Sequence, residues 1–254
     1  MVQPQSIFDL LMKYEQASNL IDKKNLYSAI EAAGNQPLTF LLFSCLAVER
    51  GKEELVLDLA KTLFFNGGNK PLSNDAKRAM RLVQEIEKMG ASINVIPILV
   101  DTEPQRTWGW QVPQEEITLA CQLMIEEAIA SELLPNNWHP TLWSDIEKRY
   151  AGSCAFEQTV QIARGCGKYQ LLIHQQEKHL RDFSDDYHFP AGIHEAAIRQ
   201  VAAYATEGAI LEAVYPNAIL LQSEWPWQEK DRLYQWLRLI NKKKPLPIIH
   251  PFTH

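Results

Sequence analysis

The chain has 254 residues, 46% of them apolar and 22% charged, enough for one large domain or two small ones around a substantial core. A net charge of -6 and a pI near 5.7 exclude a surface coated by nucleic acid, so any polyanion must be met by a local basic patch. The opening MVQPQSIFDLLMKYEQ has no basic segment followed by an apolar one, and no apolar run reaches membrane-spanning length. The expected location is the cytoplasm.

The first stretch reads as short helices, Ser6 to about Ser18 and Lys23 to Ala33, with Gly34-Asn35 as a stop and Pro37 opening the next element. The run PLTFLLFSCLAV, Pro37 to Val48, fits either a buried strand or a buried helix. Leu55, Leu59 and Leu63 space a helix over Glu53 to Phe65, stopped by Asn66-Gly67-Gly68, and another runs from about Asn74 to Met89, ended by Gly90. Ile93 to Val100 is an apolar run of strand length that stops at Asp101-Thr102; Pro97 within it suits a sheet edge, because it has no N–H to give a ladder. Pro113 to Leu134 predicts a long amphipathic helix, with glutamates in its first turn and Ile117, Ala120, Met124 and Ala128 on one face, broken at Pro135-Asn136-Asn137. Helices follow over Leu142 to Arg164 and Lys168 to Arg181, then the acidic turn Ser184-Asp185-Asp186. From Ile193 to about Val214 a helix carries a core stripe through Ala197, Val201, Tyr204, Gly208 and Leu211. Ala218 to Gln222 and Leu246 to Ile249 are strand candidates on either side of a helix over Trp227 to Ile240. Helices separated by strands predict a three-layer α/β domain over residues 37–254 behind a helical segment over residues 1–36.

Open α/β sheets bind ligands just past the carboxyl ends of their strands, which singles out the segment after Val100. There Asp101 and Thr102 are hydrogen-bonding groups, Arg106 offers a fork for carboxylate or phosphate beside Gln105, and Trp108 and Trp110 can wall a pocket. The alternative is that Asp101 and Thr102 cap the turn while the tryptophans fill the lid of the core. Tyr204 and Glu207, three residues apart on one helix, can relay a proton or clamp an amine, or pack as a core tyrosine with a carboxylate at its rim. Glu224-Trp225-Pro226-Trp227 follows another strand end and is expected beside Asp101 in the same crevice. His174 and Glu177 have the spacing for two metal ligands on one helix face, with Asp185, Asp186, His188 and His194 nearby in sequence, although no HExxH or paired ExxH motif supports a metal. Ser44 and Cys45 close the LTFLLF run, where a nucleophile would stand if that run is a strand. Cys45, Cys121, Cys154 and Cys166 form no CxxC pair and read as buried reduced thiols. GxSxG, P-loop and GxGxxG motifs are absent.

The strand ILVDTEPQR ending in Asp101-Thr102 with Gln105-Arg106, the helical Tyr204 and Glu207, and Trp225-Pro226 after a later strand together resemble the tRNA-dependent cyclodipeptide synthases, relatives of class I tyrosyl- and tryptophanyl-tRNA synthetases. The resemblance covers about the last two-thirds of the chain. That family's Gly-x-Ser motif has no counterpart, Ser44 following Leu42-Phe43; the Tyr204 to Glu207 spacing is one residue shorter than the family's, and the Ser44 to Asp101 interval is longer. The resemblance implies a Rossmann-like parallel sheet flanked by helices, aminoacyl-tRNA as substrate, and joining of two aminoacyl groups into a cyclic dipeptide through an aminoacyl-enzyme. It implies Ser44 as covalent carrier, Tyr204 and Glu207 as the groups that hold or deprotonate the amine, and Asp101, Gln105, Arg106 and Trp225 as lining of the pocket. That chemistry calls for no metal or organic cofactor. Lys148, Arg149, Arg164, Lys168, Lys178 and Arg181 would supply a basic face for tRNA. Two other classes stay open: a helical metalloenzyme using His174, Glu177, His188 and His194, and a non-enzymatic interaction protein whose N-terminal helical hairpins form a groove for a peptide. No membrane partner is expected, and the pattern sets no oligomeric state.

Overall fold

A computed structural model describes residues 3–15, 22–45, 74–107, 112–150, 155–182, 189–223 and 246–252, and the statements below concern these. Strands β1 (Leu38–Cys45), β2 (Ile93–Val100), β3 (Thr141–Leu142), β4 (Ile219–Ser223) and β5 (Ile248–Phe252) form an all-parallel sheet in the order β3-β2-β1-β4-β5. The run left open between strand and helix therefore holds the central strand. Leu38, Phe40 and Leu42 enter one core cluster and Leu41 another, so β1 is apolar on both sides because both sides are covered.

The chain steps outward from β1 to β2 and β3, then returns to the far side of β1 for β4. On one face lie α1 (Pro4–Tyr14), α2 (Lys23–Ala33), α3 (Asn74–Lys88) and, after the one-turn α4 (Glu103–Arg106), α5 (Gln114–Ala130). The other face is covered by α6 (Trp143–Tyr150) and by the last turns of α9 (Ile193–Val214). Right-handed crossovers require this change of face when the direction of travel reverses. The reversal falls between β1 and β4, the place in such sheets where a ligand crevice is expected. The fold is thus the Rossmann-like α/β arrangement expected from the sequence.

Ile7 and Leu11 of α1 and Leu26 and Ile30 of α2 share one cluster with Leu38, Phe40, Leu42, Ile93, Val95 and Ile219. Each such side chain contributes about 1.5–3 kcal/mol by leaving water. The apolar faces of the described N-terminal helices are therefore taken up by the sheet. In α3, Ala79, Leu82, Val83 and Ile86 make the inward stripe at helical spacing.

Two sequence expectations change in detail. The helix expected over Leu142 to Arg164 is found as two stretches, α6 and α7 (Ala155–Gly165), with residues 151–154 between them outside the described ones. Pro97 lies in a strand flanked on both sides. Val95 turns both its N–H and its C=O to the β3 flank, bonding Asn137 O at 2.9 Å and His139 N at 2.8 Å, so by alternation Pro97 lacks its donor on that same flank. There the ladder is already interrupted between the Val95–Trp138 bridge and the Ile98–Thr141 pair.

Beyond the sheet, α7 and α8 (Gln170–Asp182) pack against α9 in a separate apolar cluster, joined by a 3-10 turn at Gly167–Tyr169. From Ala196 to Gly208, α9 is buried except at Arg199, since these helices cover its first part while α6 and the sheet cover its end. Among the described residues no helix is long and apolar enough to cross a membrane.

Candidate functional site

At the end of β2, Asp101 is wholly buried and its carboxylate is satisfied from two elements. Thr118 Oγ1 of α5 donates to Oδ2 at 2.8 Å; from α6, Ser144 Oγ donates to Oδ2 at 2.7 Å and Ser144 N to Oδ1 at 3.0 Å. Gln114 Nε2 adds a bond to the Asp101 carbonyl at 2.9 Å. Ser144 N is one of the N–H groups that a helix start leaves unbonded, so Asp101 acts as a tertiary cap on α6. Its side chain is committed to tying β2, α5 and α6 together. Deeper in α5, burial foremost and the nearby Asp101 charge second push the Cys121 thiol up to about 12, so it is an inert thiol, as the sequence suggested.

One turn on, the neighbours of Arg106 come from far along the chain. Its guanidinium grips Glu147 of α6 through both nitrogens, at 3.0 and 2.8 Å, and lies 4.6 Å over the Phe156 ring of α7. Arg199 of α9 donates its Nε to the Arg106 carbonyl at 2.5 Å, contacts the same ring at 5.1 Å, and pairs with Glu157 at 2.9 Å. Glu195 joins this network through Arg164 and, at 3.8 Å, through Arg199. Three guanidiniums and three carboxylates thus balance one another. Gln105 donates to the Val112 carbonyl at 2.5 Å. A cleft of about 410 Å3 opens here, lined among others by Gln105, Arg106, Thr107, Pro190, Glu195 and Arg199. Gly192, at the cleft wall and preceding α9, holds φ of +86°, a conformation that a side chain would strain.

Tyr204 is 3% exposed and Glu207 6%, both between the Arg199 contact with α4 and the turn where Ile210 and Leu211 meet Leu41 and Val100. They therefore stand at the level of the carboxyl edge, on the element that packs against α4. The Tyr204 hydroxyl accepts from Gln200 Nε2 at 3.0 Å, and Gln200 Oε1 accepts from Gln176 Nε2 at 2.5 Å, a polar chain through the α8–α9 interface. Ser44 is paired with Leu99, two residues before Asp101, so its backbone lies at the carboxyl end of the central strand, beside the topological reversal. Trp108, Trp110, Glu224, Trp225 and Trp227 lie outside the described residues, as do the predicted helices Glu53 to Phe65 and Trp227 to Ile240.

The histidine cluster forms in part. His194 Nδ1 meets Glu177 Oε1 at 2.5 Å and His174 Nδ1 meets Oε2 at 3.5 Å, and the His194 hydrogen bond foremost holds the Glu177 carboxyl below its ordinary value. Both histidines are exposed, while Asp185, Asp186 and His188 are outside the described residues. Among the described residues no three His, Cys, Asp or Glu side chains are placed to hold a metal ion.

Sequence reasoning missed Thr118, Ser144, Glu147, Phe156 and Arg199, which fix Asp101 and Arg106, and passed over Glu103 at the start of α4 and Thr107 just past its end. An acid opening a helical turn is ordinary in sequence. Glu103 is 2% exposed and Thr107 3%, a burial that nothing local in the sequence signals.

No family model and no curated protein matches the chain. Solved structures do. Tyrosyl-tRNA synthetase from Archaeoglobus fulgidus, complexed with L-tyrosine, superposes with a TM-score of 0.54 at 9% identity over 99% of this chain and 64% of its own. The Leishmania major tyrosyl-tRNA synthetase in complex with tyrosinol gives 0.57 at 12% identity, over 99% of this chain and 31% of its own. The cyclodipeptide synthase from Candidatus Glomeribacter gigasporarum, bound to Phe-tRNAPhe, gives 0.50 at 11% identity, over 87% of this chain and 89% of its own. The chain shares the fold of class I tRNA synthetase-like proteins, a cyclodipeptide synthase among them, and spans less than two thirds of these tyrosyl-tRNA synthetases.

Proposed function

We propose that this chain is an aminoacyl-tRNA-using transferase of the cyclodipeptide-synthase type. The observation that carries the reading is the arrangement at one sheet edge: Ser44 lies one residue from the end of β1 beside the topological reversal, with the Tyr204–Glu207 turn of α9 at the same level. The fold it shares with a cyclodipeptide synthase supports the reading. Lys148, Arg149, Arg164, Lys168, Lys178 and Arg181 are all exposed on α6, α7, α8 and the turn between the last two, a surface for phosphates on an otherwise acidic chain.

In this reaction the Ser44 hydroxyl attacks the ester carbonyl of an aminoacyl-tRNA, the ester bond to the ribose breaks, and the proton passes to the departing ribose oxygen. The amine of the bound aminoacyl group then attacks the ester of a second aminoacyl-tRNA, releasing that tRNA. The new terminal amine attacks the serine ester, which frees Ser44 and closes the ring. Tyr204 and Glu207 hold or deprotonate the amine, and Gln105, Arg106 and Trp225 shape the pocket, with Asp101 fixing the strand end that precedes Gln105 and Arg106. Each step exchanges one acyl bond for another, so no electrons change hands.

Expression of the full chain in a bacterial host, followed by mass spectrometry of the medium, tests the proposal. Cyclic dipeptides present with the wild-type chain and missing with Ser44→Ala are expected; their absence with the wild-type chain, or undiminished formation by Ser44→Ala, contradicts it.

A further inference from the structure

Buried polar groups in folded proteins find partners, because leaving one unbonded costs about 1–3 kcal/mol and more for a charge. Among the described residues three buried side-chain atoms lack a hydrogen-bond partner, and two of them, Glu103 Oε2 and Thr107 Oγ1, belong to the same short stretch of chain. The third, Trp138 Nε1, lies in the apolar cluster under the other end of the sheet. Glu103 and Thr107 are four residues apart, joined by the Thr107 N to Glu103 O bond of 2.8 Å, and so share one face of the turn. Thr107 is also in the wall of the 410 Å3 cleft, whose volume falls at the lower end of small-molecule sites, roughly 300–1,000 Å3.

The other buried acids around this edge are occupied. Asp101 is held by Thr118 and Ser144, and Glu147 by Arg106, while Glu207 has a partner of its own. Arg106 and Arg199, the cations nearest the turn, are bound to other carboxylates. What Glu103 Oε2 lacks is a donor, and what Thr107 Oγ1 lacks is a hydrogen-bond partner for a hydroxyl that both donates and accepts. A primary ammonium group, with one positive charge and three N–H donors, satisfies both at once.

We infer that Glu103 and Thr107 form a binding site for the free α-amino group of an aminoacyl ester, and that this pair gives the cleft its preference for amino acids over their deaminated analogues. The choice of ligand rests on the aminoacyl-transfer reading above; the need for a donor rests on the two unpartnered atoms alone. Two aminoacyl groups take part in that reaction, so the site adds a second receptor for an amine to the one on α9.

The test is calorimetric titration of the full chain with phenylalaninol, leucinol and methioninol, which keep the amine and replace the ester by an alcohol, each against the matching alcohol without the amine. Wild-type protein is expected to bind at least one amino alcohol roughly ten-fold or more tightly than its deaminated partner. Glu103→Gln should cut that preference several-fold, leaving what the α9 pair supplies, with no loss of melting temperature, because the oxygen it replaces holds no hydrogen bond in the folded chain. Thr107→Val, which deletes only the hydroxyl, should weaken the preference by less than Glu103→Gln does. The inference is overturned if wild-type protein shows no preference for the amine, if Glu103→Gln keeps it undiminished, or if Glu103→Gln merely melts earlier with binding intact. Amine preference without any cyclic dipeptide would sink the transferase reading alone; cyclic dipeptide formation with the preference undiminished in Glu103→Gln would sink this inference alone.

Discussion

Asp101 and Glu103 are two residues apart at the same strand end and equally hidden from solvent, yet their surroundings are opposite. Three donors from α5 and α6 converge on the Asp101 carboxylate, and an oxygen of Glu103 meets none. A saturated acid fixes the geometry of the crossovers that frame the edge; an unsaturated one stays poised for something that arrives from outside. Burial alone therefore does not separate a structural carboxylate from a binding one, and the count of partners does.

The sharpest way to break this contrast is to remove each acid. Asp101→Ala should cost about 3–4 kcal/mol in urea denaturation, since it orphans Ser144 N and unties α5 from α6, whereas Glu103→Gln should change stability by less than about 0.5 kcal/mol or raise it. A cost below about 1 kcal/mol for Asp101→Ala would show that the hub does not hold the edge. Glu147→Ala should follow at about 2–3 kcal/mol, because it strips the partly buried Arg106 of its bidentate partner. Tyr204→Phe should cost about 1 kcal/mol, the worth of the hydroxyl that receives Gln200, while lowering cyclic dipeptide formation about 100-fold. Activity falling only as far as stability does would make Tyr204 a packing residue.

The smallest effect belongs to the histidine pair. Since the His194 hydrogen bond lowers the folded-state pKa of Glu177, the stability it lends is complete above the ordinary glutamate value of about 4.3 and fades as pH falls through the lowered one. The melting-temperature gap between wild type and Glu177→Gln should accordingly narrow below about pH 4.3; a gap that widens in acid would contradict the sign.

Sheet and helices were largely legible because each carries its own period: the stripe of α9, the face of α5 and the apolar run of β2 are local patterns. The strand nature of β1 was not, since a strand covered on both faces and a buried helix present the same unbroken apolar run. The site was harder. Asp101 and Arg106 stood out by their place after a strand, but whether such a group is spent on structure depends on Ser144, Glu147, Phe156 and Arg199, between 41 and 93 residues from the groups they bind. Partnerships at that distance leave no periodic trace. Glu103 and Thr107 could not be singled out at all, because what marks them is the absence of a partner, a property of packing.

The central claim, that an aminoacyl group is carried on Ser44 at the end of β1, is tested most directly by intact-mass measurement of the purified chain after brief mixing with charged tRNA. One added aminoacyl mass, mapped to Ser44 and missing in Ser44→Ala, is the predicted result. No adduct with any charged tRNA, or an adduct that persists in Ser44→Ala, would contradict it.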